Sequence, residues 1–400
     1  MTMNSTSNRL FFIDAIRAWA ILMMLQGHFI DGLLDPVFRD ADNLAFSIWL
    51  YFRGITAPVF FTVSGFIFTY LLLQVPEQGL ANPRVKKGLR RGLQLLLIGY
   101  ALRLNLFGLL KGEVYDGFYL VDVLHCIGLS LLAIIGIYLI SGTRKRFWFP
   151  LILVCTTLLL FLFEPLYKQW TFSFLPLGLA NYFTKVNGSV FTIIPWLGYA
   201  TLGASLSLVF LQFKKARFLY PSVITCFAIL GAGLIYGSSP VFLKLYEMTD
   251  VMLFQLIYEN NYLFIRLGDV FVVFALFMMI RKLLTHPYLL KIGANTLSIY
   301  VIHFIILYGS FTGLGLYKFL HHEMNPSWAI SGAALFMFSC TYLSLLNAKY
   351  ETTLKQHQAE TLRFLQSRLL WNTKKMMFLA KELYIKLRIF VLRFLNVAKD

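Results

Sequence analysis

Charge is scarce in this chain. Of its 400 residues only 14% are charged, where a soluble domain carries about a quarter. That shortage excludes a soluble enzyme or a soluble binding module. Acids are scarcer still, 19 Asp and Glu against 36 Lys and Arg, for a net charge of +17. In a soluble protein such a balance points to nucleic acid. Here 58% of the residues are hydrophobic, so the excess reads as membrane topology and no nucleic-acid partner is expected. The four cysteines, Cys126, Cys155, Cys226 and Cys340, all fall in apolar segments without metal-type spacing. They read as small core residues, which argues against a disulfide framework and a zinc site; no metal is expected. A phosphate-cradling glycine loop and a Ser-His-Asp elbow are missing too. GAGLIYG at 231–237 is glycine-rich but lies inside an apolar run, where glycine serves helix packing. The first apolar segment carries internal charge and lacks a small-residue cleavage site, so it reads as a span and not as a cleavable signal peptide.

Long apolar runs are what the chain does have. A membrane-crossing helix needs about 20 apolar residues. Such runs begin near Ile13, Ile55, Gly92, Phe118, Phe147, Ser189, Leu219, Tyr262, Ile292 and Ser327. The loops between them alternate in charge. Arg84, Lys86, Lys87, Arg90 and Arg91 follow the second run; Arg144, Lys145 and Arg146 the fourth; Lys214, Lys215 and Arg217 the sixth; Arg281, Lys282 and Lys291 the eighth. The intervening loops hold few cations. By the positive-inside rule both termini are cytoplasmic. The expected fold is all-α, a polytopic membrane protein with about ten transmembrane helices and the lipid bilayer as its partner. Two regions are expected: a transmembrane domain over residues 1–346 and a basic cytoplasmic tail over 347–400. Beyond Asn347 the tail holds 11 Lys and Arg against 4 acids. It mixes them with Leu, Phe and Ile at helical spacing. It reads as an amphipathic helix on anionic lipid, or as a plain helical extension.

Charge inside the bilayer is expensive, so each intramembrane ionisable group is a candidate for function. The first run, IDAIRAWAILMMLQGH, places Asp14 and Arg17 near the inner face and His28 11 residues beyond Arg17. That is about three turns, with roughly 16 Å of rise, so Arg17 and His28 share one face. Arg53 stands in the second run and Arg103 with Asn105 in the third. Asp122 and His125 are i, i+3 in LVDVLHCIG, and Arg266 and Asp269 are i, i+3 in IRLGDV. Such pairs can touch. Asn295, Tyr300 and His303 lie in the ninth run. Two histidines and two acid–base pairs therefore fall at one depth, in the outer half, which implies a polar cavity open to the outside. Each pair could equally do no more than orient helices, Arg53 and Arg103 could snorkel to an interface, and His303 could be a satisfied core histidine.

A neutral imidazole can take a proton from a hydroxyl or amine as that group attacks a carbonyl, or can carry an acyl group itself. Arginines can bind phosphate or stabilise developing negative charge. RLFFIDAIRAWAILMMLQGH resembles the first helix of the membrane acyltransferase 3 superfamily, in which an Arg, ten residues and a His recur; Arg17 and His28 match that spacing. The wider set is closer to bacterial relatives of heparan-α-glucosaminide N-acetyltransferase. It comprises IDAIRA, APVFFTVSGF from Ala57, DVLHCIGLS from Asp122, IPWLGYATLGA from Ile194 and IGANTLSIYVIH from Ile292, in order over residues 9 to 310. The resemblance implies acyl transfer from cytosolic acetyl-CoA to a sugar, on an extracytoplasmic or lipid-linked glycan, in a cell membrane such as the bacterial inner membrane. In that frame His28 would be catalytic, with His125 and Asp122 beside it. Arg17, Asp14, Arg53 and Arg103 would hold the acyl donor, and Arg266, Asp269 and His303 the acceptor. A secondary transporter for a polar or acidic solute is the competing expectation, and a subunit without chemistry a third. The acceptor's identity, and whether the chain forms a homo-oligomer, stay open in the sequence.

Overall fold

The computed structural model describes residues 10–142 and 145–397, and Arg144 of the second basic loop lies outside them. Among the described residues there is no strand, only an isolated bridge between Leu34 and Met324. The principal helices are α1 (Phe11–Leu33), α2 (Leu44–Leu73), α3 (Pro83–Arg103), α4 (Val123–Ile140), α5 (Lys145–Leu162) and α6 (Ile193–Gln212). There follow α7 (Leu219–Ala232), continued through a π turn at Gly233–Gly237 into α8 (Ser238–Thr249), then α9 (Tyr262–Met279), α10 (Pro287–Ala294), α11 (Thr296–Tyr308) and α12 (Pro326–Val397). Contacts divide the chain into a unit ending at Ser344 and another beginning at Leu345. The second unit is helical through Val397, with Lys386 paired to Glu382 one turn earlier at 3.3 Å.

Among the described residues, seven helical stretches are long and apolar enough to cross a membrane, and the bent pair α10–α11 makes an eighth if it counts as one span. The protein is an all-α polytopic membrane protein. Each of the ten apolar runs seen in the sequence falls on a helix. The two that fall short of the length and hydropathy of a span are explained by their residues. The first half of α3 carries the basic cluster Arg84 to Arg91, and the apolar part of α5 is only Phe147–Leu162.

Helices in lipid gain little from burying apolar groups against one another, so close backbone contact matters more. The crossing of α2 and α6 shows this. A Cβ on Gly65 would stand 1.9 Å from the Ala200 carbonyl oxygen, and one on Gly203 would stand 1.8 Å from that of Thr62. Only hydrogen fits at either point. The same crossing carries ring packing: Phe61 lies 5.1 Å from Trp196, and Phe66 lies 5.4 Å from Phe210.

α10 and α11 meet at 70°, broken at Asn295, whose φ of −103° and ψ of 22° leave the helical range. α10 lies against the start of α1, close enough that a Cβ on Gly293 would stand 2.0 Å from the Asp14 carbonyl oxygen. The bend lets one chain segment touch Asp14 with its first half and reach His28 with its second.

Candidate active site

The ends of α1, α3 and α11 remote from the basic loops converge on two cavities. The larger, of about 640 Å³, is bordered by His28, Arg103, Asp122, Tyr300, His303 and Tyr308, with Asn105, Tyr115, Ser310 and Tyr317 from the segments that connect the principal helices. The smaller, of about 270 Å³, is bordered by Met23, His28, Asp31, Arg53, Lys185 and Trp196. His28 borders both, together with Val123, Val190 and Phe191. Both have apolar walls with a few converging polar groups, the usual make-up of a small-molecule site.

His28 sits on the last turns of α1, held there because Leu25, Phe29 and Leu33 bury the neighbouring face of the helix. Its ring stacks on that of His303 from α11, with centroids 5.4 Å apart and planes at 27°. Its Nδ1 lies 3.3 Å from the Tyr308 hydroxyl. His303 is 1% exposed; its Nδ1 is hydrogen-bonded to the carbonyl oxygen of Tyr300 one turn back, and its Nε2 has no partner among the described residues.

Arg103 ends α3 and donates from Nε to Asp122 Oδ2 at 3.0 Å and from Nη1 to the Gly117 carbonyl at 3.1 Å. Asp122 is the N-cap of α4 and accepts from the Leu124 N–H. His125 completes that cap, its Nδ1 accepting from the Asp122 N–H at 3.3 Å and lying 3.0 Å from Asp122 Oδ1. It is fully buried, its ring 4.4 Å from that of Tyr100 and pressed on Gly99, where a Cβ would stand 2.6 Å from Cε1. His125 lies behind Asp122 and borders neither cavity. A capping box is a local device for starting a helix, and here it also fixes the carboxylate that meets Arg103.

Arg53 pairs with Asp31 at the wall of the smaller cavity, its guanidinium 5.9 Å from the centre of the Trp49 ring. Arg17 and Asp14 lie at the opposite end of α1. Arg17 donates to the Thr296 hydroxyl at 3.0 Å, at the break between α10 and α11, and lies 3.7 Å from Asp14. Neither borders the two cavities. Arg266 and Asp269 are also apart from them. They tie α9 to α2: Arg266 meets Asp269 at 2.9 Å, the Tyr51 hydroxyl donates to Asp269 at 2.6 Å, and the guanidinium lies 4.6 Å from the Tyr51 ring centre. Of the ten candidates, His28, His303, Arg103, Asp122 and Arg53 are thus drawn to the cavities. Tyr308 and Lys185 border them without any sign in the sequence; a tyrosine among apolar residues and a lone lysine in a loop mark nothing by themselves. Among the described residues no group of three or more His, Cys, Asp or Glu comes together as a metal site would require.

A histidine pair, His303 buried and His28 half-buried, with His28 at the junction of two cavities inside a bundle of membrane helices, suits group transfer in a membrane. The family model described as heparan-alpha-glucosaminide N-acetyltransferase, catalytic, matches residues 9–236, more than half of the chain. The chain belongs to this family and is a multi-pass membrane acetyltransferase. No curated protein matches it. The matched stretch carries His28, Arg53, Arg103, Asp122 and His125, whereas Arg266, Asp269 and His303 lie beyond it.

Proposed function

We propose that the protein moves an acetyl group from cytosolic acetyl-CoA to an amine or hydroxyl of a sugar, on an extracytoplasmic or lipid-linked glycan, with His28 in the catalytic role. One observation carries this: His28 is the polar group common to both cavities. A thioester in one and an acceptor in the other can meet there. As general base, His28 would take the acceptor's proton while its oxygen or nitrogen attacks the thioester carbon. As acyl carrier, its ring nitrogen would attack first, and the acceptor would then displace it. Arg103, held by Asp122, and Arg53, held by Asp31, stand where negative charge develops on the thioester oxygen. Arg17 lies about 16 Å down the same helix face. It would grip the donor's polar end while an extended pantetheine arm spans the rise.

This function goes with ten spans, both termini and the tail on the cytoplasmic side, the tail over 347–400 resting on anionic lipid, and residence in the cell membrane, the bacterial inner membrane in particular. Titration calorimetry of detergent-purified protein with acetyl-CoA, wild type beside Arg17→Ala, is the first test. Binding to the wild type that weakens in the variant supports the proposal. No binding to folded wild type refutes it. The bent pair α10–α11 gives the transporter alternative one supporting feature, because broken helices line transport sites. Solute uptake into proteoliposomes without consumption of acetyl-CoA would decide for it.

A further inference from the structure

We propose that His303 is a second catalytic residue, its Nε2 taking the acceptor's proton, and that the larger cavity is the acceptor's chamber. This rests on the acetyl-transfer function above. A carbonyl oxygen accepts hydrogen bonds and donates none. The Nδ1 of His303, bonded to the Tyr300 carbonyl, therefore carries the ring proton, and the lone pair of the neutral ring is on Nε2. That atom is buried and has no partner among the described residues. Buried polar atoms are nearly always satisfied, so an orphan on a residue that borders a cavity asks for a ligand. His125 Nε2 is an orphan too, but it borders no cavity. His28 differs in kind: its Nδ1 faces a tyrosine hydroxyl, which can donate or accept, so its tautomer is not fixed.

Position separates the two imidazoles further. His28 borders both cavities and His303 only the larger. With the thioester held at His28 from the smaller cavity, the acceptor comes from the larger one, on the side of His303. That chamber offers the rings of Tyr300, Tyr308 and Tyr317 beside Asn105, Arg103 and Asp122. Ring faces for the apolar face of a pyranose, with polar groups at its rim, fit a sugar. In the step, the acceptor's O–H or N–H proton passes to His303 Nε2. His28 keeps the carrier role: its ring nitrogen has already taken the acetyl group, the carbon–sulfur bond breaking and its electron pair leaving on the coenzyme A sulfur. The acceptor's freed pair forms the bond to the acetyl carbon while the carbon–nitrogen bond to His28 breaks and its pair returns to the ring. The proton then returns from His303 to that thiolate, so that thioester and acceptor become acetylated acceptor and free thiol.

His303→Asn is the test, because the amide N–H can still donate to the Tyr300 carbonyl while no lone-pair nitrogen remains. With acetyl-CoA as donor and glucosamine as acceptor probe, transfer is expected to fall on the order of 10²- to 10⁴-fold. Acetyl-CoA binding by calorimetry should be unchanged, which a merely structural loss would not allow. Transfer at the wild-type rate in the variant overturns the proposal. If His303→Asn does not fold, Leu120→Trp, which crowds the larger cavity alone, decides. The acceptor's kcat/KM should drop about tenfold or more, as crowding of a substrate pocket does, with the donor's KM constant; the reverse split overturns the chamber assignment. Wild type that transfers nothing from acetyl-CoA overturns the underlying function as well, and so is distinguishable from a failure of His303 alone.

Discussion

Two ion pairs of the bundle have the same chemistry and different surroundings. Arg103–Asp122 and Arg266–Asp269 each join an arginine to an aspartate at about 3 Å, each partly or wholly out of solvent. The first borders a cavity. Asp122 is gripped from behind by its own helix cap, and Arg103 stands beside free space. The second is filled in by its neighbours: Tyr51 bonds the carboxylate and covers the guanidinium, and Gly54 leaves room for Arg266 by having no side chain. Burial of charge therefore marks cost and not purpose. On the proposed function, what would separate a working pair from a fastening pair is an empty volume next to it.

Substitutions can break that contrast or sharpen it. The largest effect is expected at the group both cavities share. His28→Ala should lower transfer by on the order of 10²- to 10⁴-fold, with the melting transition unchanged; full activity in purified protein would remove His28 from the chemistry. Next comes Arg103→Met. If its guanidinium meets developing charge, transfer should fall about 10²-fold. An effect on stability alone would make it a second fastening pair. The mirror experiment is Arg266→Met, which should lower the thermal midpoint and leave the acceptor KM of the surviving protein where it was. A raised acceptor KM would bring that pair into the substrate site. The smallest effect is expected from Tyr51→Phe. It removes one hydrogen bond to Asp269, should cost about 1–3 kcal/mol of stability, and should leave kcat and both KM values alone.

Much of the molecule is legible in the amino-acid sequence. Apolar runs, basic loops and the Arg17–His28 register are properties of one segment at a time, and helical periodicity carries them directly. The candidate site is half legible. Asp122 and His125 can be paired from their spacing, because i and i+3 on one helix lie side by side; that the pair is a cap with His125 behind it depends on Gly99 and Tyr100 of another helix. In the sequence His303 looks like a lone histidine in an apolar run and His125 like half of a pair with Asp122. Only the fold puts one on a cavity wall and the other behind it. The bend at Asn295 is hidden as well, since neither glycine nor proline occupies the break.

By itself the sequence determined that this is a helical membrane protein, roughly where its helices run, and which face of α1 carries Arg17 and His28. Those follow from local rules: the bilayer admits only segments that satisfy their own backbone, and a helix repeats every 3.6 residues. The tertiary structure decided which polar groups share a space. Tyr308 and His28 are 280 residues apart in the chain and 3.3 Å apart in the fold. No periodicity spans that distance. It is settled by helices packing at their small residues and by one bent segment reaching both ends of α1.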